Sequence, residues 1–130
     1  MLEKIQTMKT IGLIGGMSWE SSVVYYQIIN RTVKEKLGGV HSCHCLMYSV
    51  DFGEIAALQH KGDWAKLGEM MADAAQKLER GGADFIVLCT NTMHKLADKI
   101  EESVQIPLLH IADVTAEAIH EKGMKNLVPS

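Results

Sequence analysis

The sequence predicts a doubly wound α/β domain: a parallel four-stranded sheet flanked by helices, flavodoxin- or Rossmann-like. Two observations carry this expectation. Short apolar runs alternate with amphipathic helical stretches, and glycines mark the junctions between them. The clearest run, Asp84-Phe85-Ile86-Val87-Leu88-Cys89, follows Gly81-Gly82 and is apolar after its first residue, as a strand buried on both faces would be. Immediately afterwards the chain turns polar, Thr90-Asn91-Thr92-Met93-His94, and a helical pattern follows through Leu96, Ala97 and Ile100. A strand thus brings a thiol, hydroxyls and a carboxamide to its carboxyl end, where a helix begins. Open α/β sheets bind ligands at that edge, and the unpaired N–H groups of a helix start receive a carboxylate or phosphate.

The elements follow in order. Residues 1–8 carry charges, lack the apolar core of a secretory signal and form an N-terminal extension. Lys9 to Gly16 is a first strand ending in a glycine turn. Its G-x-x-G-G spacing is not the dinucleotide fingerprint, so a small anion suits it better than a nucleotide, with Ser18 as the helix N-cap. A helix from about Trp19 to Leu37 would bury Val23, Tyr26, Ile29, Val33 and Leu37, and Gly38-Gly39 stops it. A second strand, about His41 to Val50, leads through Asp51-Phe52 and a short helical turn to a loop at Gln59-His60-Lys61-Gly62. Asp63 caps a helix from Trp64 to Arg80 whose inner stripe is Leu67, Met70, Met71, Ala74, Ala75 and Leu78. After a helix from about Met93 to Ser103 comes a fourth strand, Pro107 to Ile111. A helix beginning at Asp113 or Thr115 then reaches Lys122. The domain is expected over 9–123, with 124–130 as the truncated start of a second one.

Composition narrows the classes. A chain that is 47% hydrophobic and 22% charged is ordinary for a soluble globular domain. A net charge of −3 argues against nucleic acid or an anionic membrane as partner, and no apolar stretch spans a bilayer. Three cysteines make no disulfide framework, which points to a reduced, cytoplasmic setting. Cys43-His44-Cys45 does not read as a metal site, because a strand turns His44 away from the two thiols. The eight methionines fall mostly on helical stripes and read as core.

Three motifs in order, Gly15-Gly16-Met17-Ser18-Trp19-Glu20-Ser21, Ser49-Val50-Asp51-Phe52 and Cys89-Thr90-Asn91-Thr92-Met93-His94, resemble the aspartate/glutamate racemase family, and its bacterial amino-acid racemase branch most. The resemblance implies a cofactor-independent isomerase, commonly a homodimer, with the substrate between two similar domains. Each domain supplies one acid/base group to opposite faces of the α-carbon, because inversion needs a proton removed on one face and returned on the other. No metal, pyridoxal phosphate or nucleotide is implied. In the family a catalytic cysteine usually stands directly before Asn-Thr; here Thr90 holds that place and Cys89 lies one position earlier. Strand alternation keeps both from facing one substrate, so Thr90 takes the catalytic position, with Cys89 as the alternative if the strand bulges. A threonine hydroxyl is a poor base at neutral pH, and an enzyme favouring one enantiomer is expected. By the same resemblance Asn91 and Thr92 hold the α-carboxylate, Met17 and Gln59 line the pocket, and Ser18 and Asp51 are further candidates.

Each candidate has a plainer reading: Met17 as core, Ser18 as cap, Asp51 as turn former, His94 as a capping residue, and His110 and Asp113 as packing and N-cap. The family's second domain carries a Gly-Cys-Thr-Glu motif that is not found here. The expectation is therefore a chain that binds aspartate or glutamate weakly and does not racemise them alone. The rival from another class is a non-catalytic amino-acid-binding or dimerisation domain. A mononucleotide-binding flavodoxin-like domain is a third, and the glycine spacing opposes it.

Overall fold

The computed structural model describes residues 9–89 and 96–109. Four strands, β1 (Thr10–Gly15), β2 (His44–Ser49), β3 (Phe85–Leu88) and β4 (Leu108–Leu109), alternate with helices α1 (Trp19–Leu37), α2 (Phe52–Lys61), α3 (Trp64–Arg80) and α4 (Ala97–Ser103). All pairings are parallel and the sheet order is β2-β1-β3-β4. The chain moves outward from β1 to β2, then crosses to the other side of β1 to lay down β3. The two directions of winding part between β1 and β3, and the crevice of such a fold opens there, at the carboxyl ends.

Alternation along the strands feeds two cores. Ile14, Ile86 and Leu88 face α2, α3 and α4 with Ile55, Leu67, Met71 and Ile100. Ile11, Leu13, Phe85, Val87 and Cys89 face α1 with Ile29 and Val33. β3 is buried along its whole length, as its unbroken apolar run requires. Gly12 lets α3 approach closely, since a Cβ there would lie 2.9 Å from the Ala83 Cβ and 3.2 Å from the Leu78 Cβ.

α3 has the bounds its sequence gives, and of its expected stripe only Met70 is half-buried rather than buried. The Asp63 carboxylate accepts from the Lys66 N–H at 3.1 Å, satisfying a donor the helix start leaves open. Asp63→Ala is expected to cost about 1 kcal/mol of stability by urea unfolding.

α1 departs from expectation in which face it buries. Ser22, Ile29, Thr32 and Val33 point inward, while Val23 and Tyr26 are 45% and 46% exposed. The cause lies in β1. Gly15 has no side chain, so Ser22 seats against its backbone and turns the first half of the helix with it; a Cβ on Gly15 would lie 3.1 Å from the Ser22 Cβ. β2 is also shorter than expected, beginning at His44, where pairing with Thr10 of β1 starts. The expected helix over 113–122 and the stretch 124–130 lie outside the described residues.

Candidate active site

The carboxyl end of β1 is held from two sides. The Gly15 carbonyl accepts from the Val50 N–H at 2.9 Å, tying the turn to the end of β2. The Gly16 N–H donates to the buried Ser22 Oγ at 2.9 Å, and that hydroxyl donates to the Ser18 carbonyl at 3.5 Å. Gly16 has φ +95°, a conformation for which glycine is suited. One serine in the second turn of α1 thereby fixes the loop carrying Met17 and Ser18. Sequence reasoning missed Ser22; the signal was a polar residue on the stripe that has to face the sheet.

Ser18 is the α1 N-cap by position, but its side chain makes no capping hydrogen bond. Met17 is buried among the residues of the α3-side core. Asp51 caps α2, its carboxylate accepting from the Gly53 N–H at 3.1 Å. Gln59 is not on a loop, as the sequence suggested, but in the last turn of α2 and half-buried. The helix runs on past it because Gly62, at φ 74°, supplies the left-handed stop, its N–H reaching the Gln59 carbonyl at 3.0 Å.

The Cys89 N–H donates to the Ile14 carbonyl at 3.0 Å, carrying the β1–β3 ladder to the mouth of the crevice. Its side chain turns to the α1 side, is 0% exposed and belongs to that core. Burial, with a smaller contribution from Cys45, pushes the thiol up to about 12, so it is protonated at neutral pH. A thiol in this state packs as a small apolar group and offers no base. Thr90, Asn91, Thr92 and His94, with His110 and Asp113, lie outside the described residues.

Beyond β2, a cavity of about 150 Å³ is lined by Tyr48, Asp51, Glu54, Met70 and Asp73, among others. Of its three carboxylates, Asp73 pairs with Lys77 at 2.9 Å and Asp51 caps α2. Among the described residues, the helix start beside the β1 turn has one acidic residue in its first turn, Glu20. Ser22→Ala would leave the Gly16 N–H buried without its acceptor. A loss of about 1 kcal/mol is expected in chemical denaturation, with Ser22→Thr recovering part of it.

A family model for Asp/Glu/hydantoin racemases matches residues 14–128. The chain belongs to that family. Among curated relatives it is 27% identical over 121 residues to a broad-specificity amino-acid racemase of Bacillus subtilis (strain 168), covering 91% of this chain and 52% of the relative. Among solved structures, a Yersinia pestis protein assigned as an Asp/Glu racemase is 56% identical with a TM-score of 0.81. An aspartate racemase homologue from Pyrococcus horikoshii OT3 is 34% identical with a TM-score of 0.76. Each of these two matches covers 89% of this chain and 50% of the other. The chain thus has the α/β fold of family members and spans about half the length of these relatives. Among the described residues, no helix is long and apolar enough to cross a membrane.

Proposed function

We propose that this chain provides the first half of a cofactor-independent amino-acid racemase acting on aspartate or glutamate. The substrate's α-carboxylate sits at the crevice between the carboxyl ends of β1 and β3. The observation that carries this reading is the Gly15-to-Ser18 turn, anchored by Ser22 and Val50, at the switch point of a family-matched fold. Thr90 takes the acid/base position on one face of the α-carbon, and Asn91 and Thr92 hold the carboxylate. Cys89, buried and protonated, supports Thr90 in that role by leaving no other group of the motif's first two positions to compete for it. Met17, Gln59 and Ser18 line or shape the pocket. Donors around the carboxylate stabilise the negative charge that develops as the α-proton leaves. The acid/base group for the opposite face comes from a second domain, which fits relatives of which this chain spans about half. Three free thiols suit a reducing, cytoplasmic compartment.

The 130 residues alone are expected to bind acidic amino acids weakly and not to invert them. Incubating L-aspartate and L-glutamate with the purified chain in deuterated water tests this: no α-deuteration supports the reading, and efficient deuteration or inversion refutes it. A second reading rests on exposed apolar groups. Trp19, Val23 and Tyr26, spaced i, i+4 and i+7 along α1, are 66%, 45% and 46% exposed, which favours a role in dimerisation. Sedimentation with ligand titration separates the two: a tight dimer blind to amino acids supports the dimerisation domain.

A further inference from the structure

The racemase reading uses neither Cys43 nor Cys45. Both are half-buried, both pack against the α1-side core, and both are free thiols. Cys43 immediately precedes β2 and Cys45 is its second residue, so in extended backbone the two share a face, and among the described residues β2 is the outermost strand of the sheet. His44 between them is exposed. The entry to the strand is pinned, because the Cys43 N–H donates to the Asn30 Oδ1 of α1 at 2.9 Å.

We propose that Cys43 and Cys45 form an accessible dithiol that chelates a soft, thiophilic centre, of which a monosubstituted trivalent arsenical is the type. Geometry selects this chemistry over two others. Residues two apart on a strand are separated by about 6.6 Å between Cα atoms, at the upper end of what a disulfide spans. A direct S–S bond would bend the strand, whereas one bridging atom between the sulfurs leaves the backbone in place. Among the described residues no three His, Cys, Asp or Glu side chains are arranged to hold a metal ion, which removes a tetrahedral zinc site. A centre content with two sulfur donors remains, and soft ions prefer thiolates. The proximity of the two thiols raises Cys43 and lowers Cys45, so that Cys45 is the first to be deprotonated. In the reaction two As–S bonds form and the As=O bond breaks. The oxygen leaves as water with the two thiol protons, and no electron is transferred.

Phenylarsine oxide is the probe, with native mass spectrometry and thiol alkylation as readouts. The folded chain is expected to take up one phenylarsenic unit with loss of one water. Cys43 and Cys45 are then both protected from iodoacetamide, while Cys89 reacts only after unfolding. Cys43→Ser and Cys45→Ser, each with its alanine counterpart as a check on folding, are expected to weaken retention by about a hundredfold through loss of chelation. Retention unchanged in either single variant, an adduct on Cys89, or independent alkylation of Cys43 and Cys45 in the presence of the probe overturns the proposal. None of these outcomes depends on amino-acid binding.

Discussion

Replacing Gly16 with alanine is expected to destabilise the domain by about 3 kcal/mol and to abolish whatever amino-acid binding the chain has. Two costs add at this position. The backbone holds φ +95°, which an L side chain adopts only with strain. A Cβ there would also run into the Val50 backbone and lie 2.9 Å from the Ser49 Oγ. The Ser49 hydroxyl can turn aside, but the Val50 backbone cannot yield cheaply, because its N–H is bonded to the Gly15 carbonyl and locks the end of β2 against β1. Urea unfolding at neutral pH gives the magnitude. Gly62→Ala provides the comparison: it too has positive φ, 74°, but a Cβ there would meet nothing within 4 Å. It is expected to cost about 1 kcal/mol, so the difference between the two variants reports the packing at the crevice.

Alkaline pH should weaken the fold through Cys89. Its thiol is raised from an ordinary 9.0 to about 12 by burial first and by Cys45 second. The unfolded chain therefore releases this proton near its ordinary value while the folded chain keeps it. The contribution is fully present below the unfolded value, falls as pH rises between the two, and is gone above the folded one. By about pH 10.5 the loss should reach about 2 kcal/mol. Tyr25, raised by its own burial and then by Cys89, acts in the same direction, so total stability against pH mixes the two. The difference between the parent chain and Cys89→Ala reports the thiol together with the part of the Tyr25 shift that Cys89 causes: the variant starts less stable at pH 7 and shows a shallower alkaline decline. Equal slopes would mean that water reaches Cys89.

How far the sequence carried the fold can be seen element by element. In α3, cap, stripe and glycine stop all agree, and local signals suffice. β3 announced its burial on both faces by having no polar position. α1 shows what is hidden. Val23 and Tyr26 look like an inner face by hydrophobicity. Ser22 takes that place because the missing side chain at Gly15 and the N–H of Gly16 together call for a small hydroxyl there. Hydrophobic periodicity has no term for a hydrogen bond to a residue on another element. Gln59 illustrates a different gap. A helix of ten residues with one buried side chain, Ile55, has too weak a stripe to mark its own length, and only the Gly62 stop shows where it ends.

The same division holds at the site. The expectation of a site at the carboxyl edge came from one strand and one glycine turn. That β1 and β3 flank the switch point needed the sheet order, which no local pattern in the sequence encodes.

The most direct test is an isotope-edited NMR titration of the labelled chain with L-aspartate. Binding between β1 and β3 predicts saturable shifts in the amides of Gly15, Gly16 and Ser18, together with Asn91 and Thr92, that Gly16→Ala removes. Shifts confined to Tyr48, Asp51 and Glu54, or none at high ligand, would contradict it.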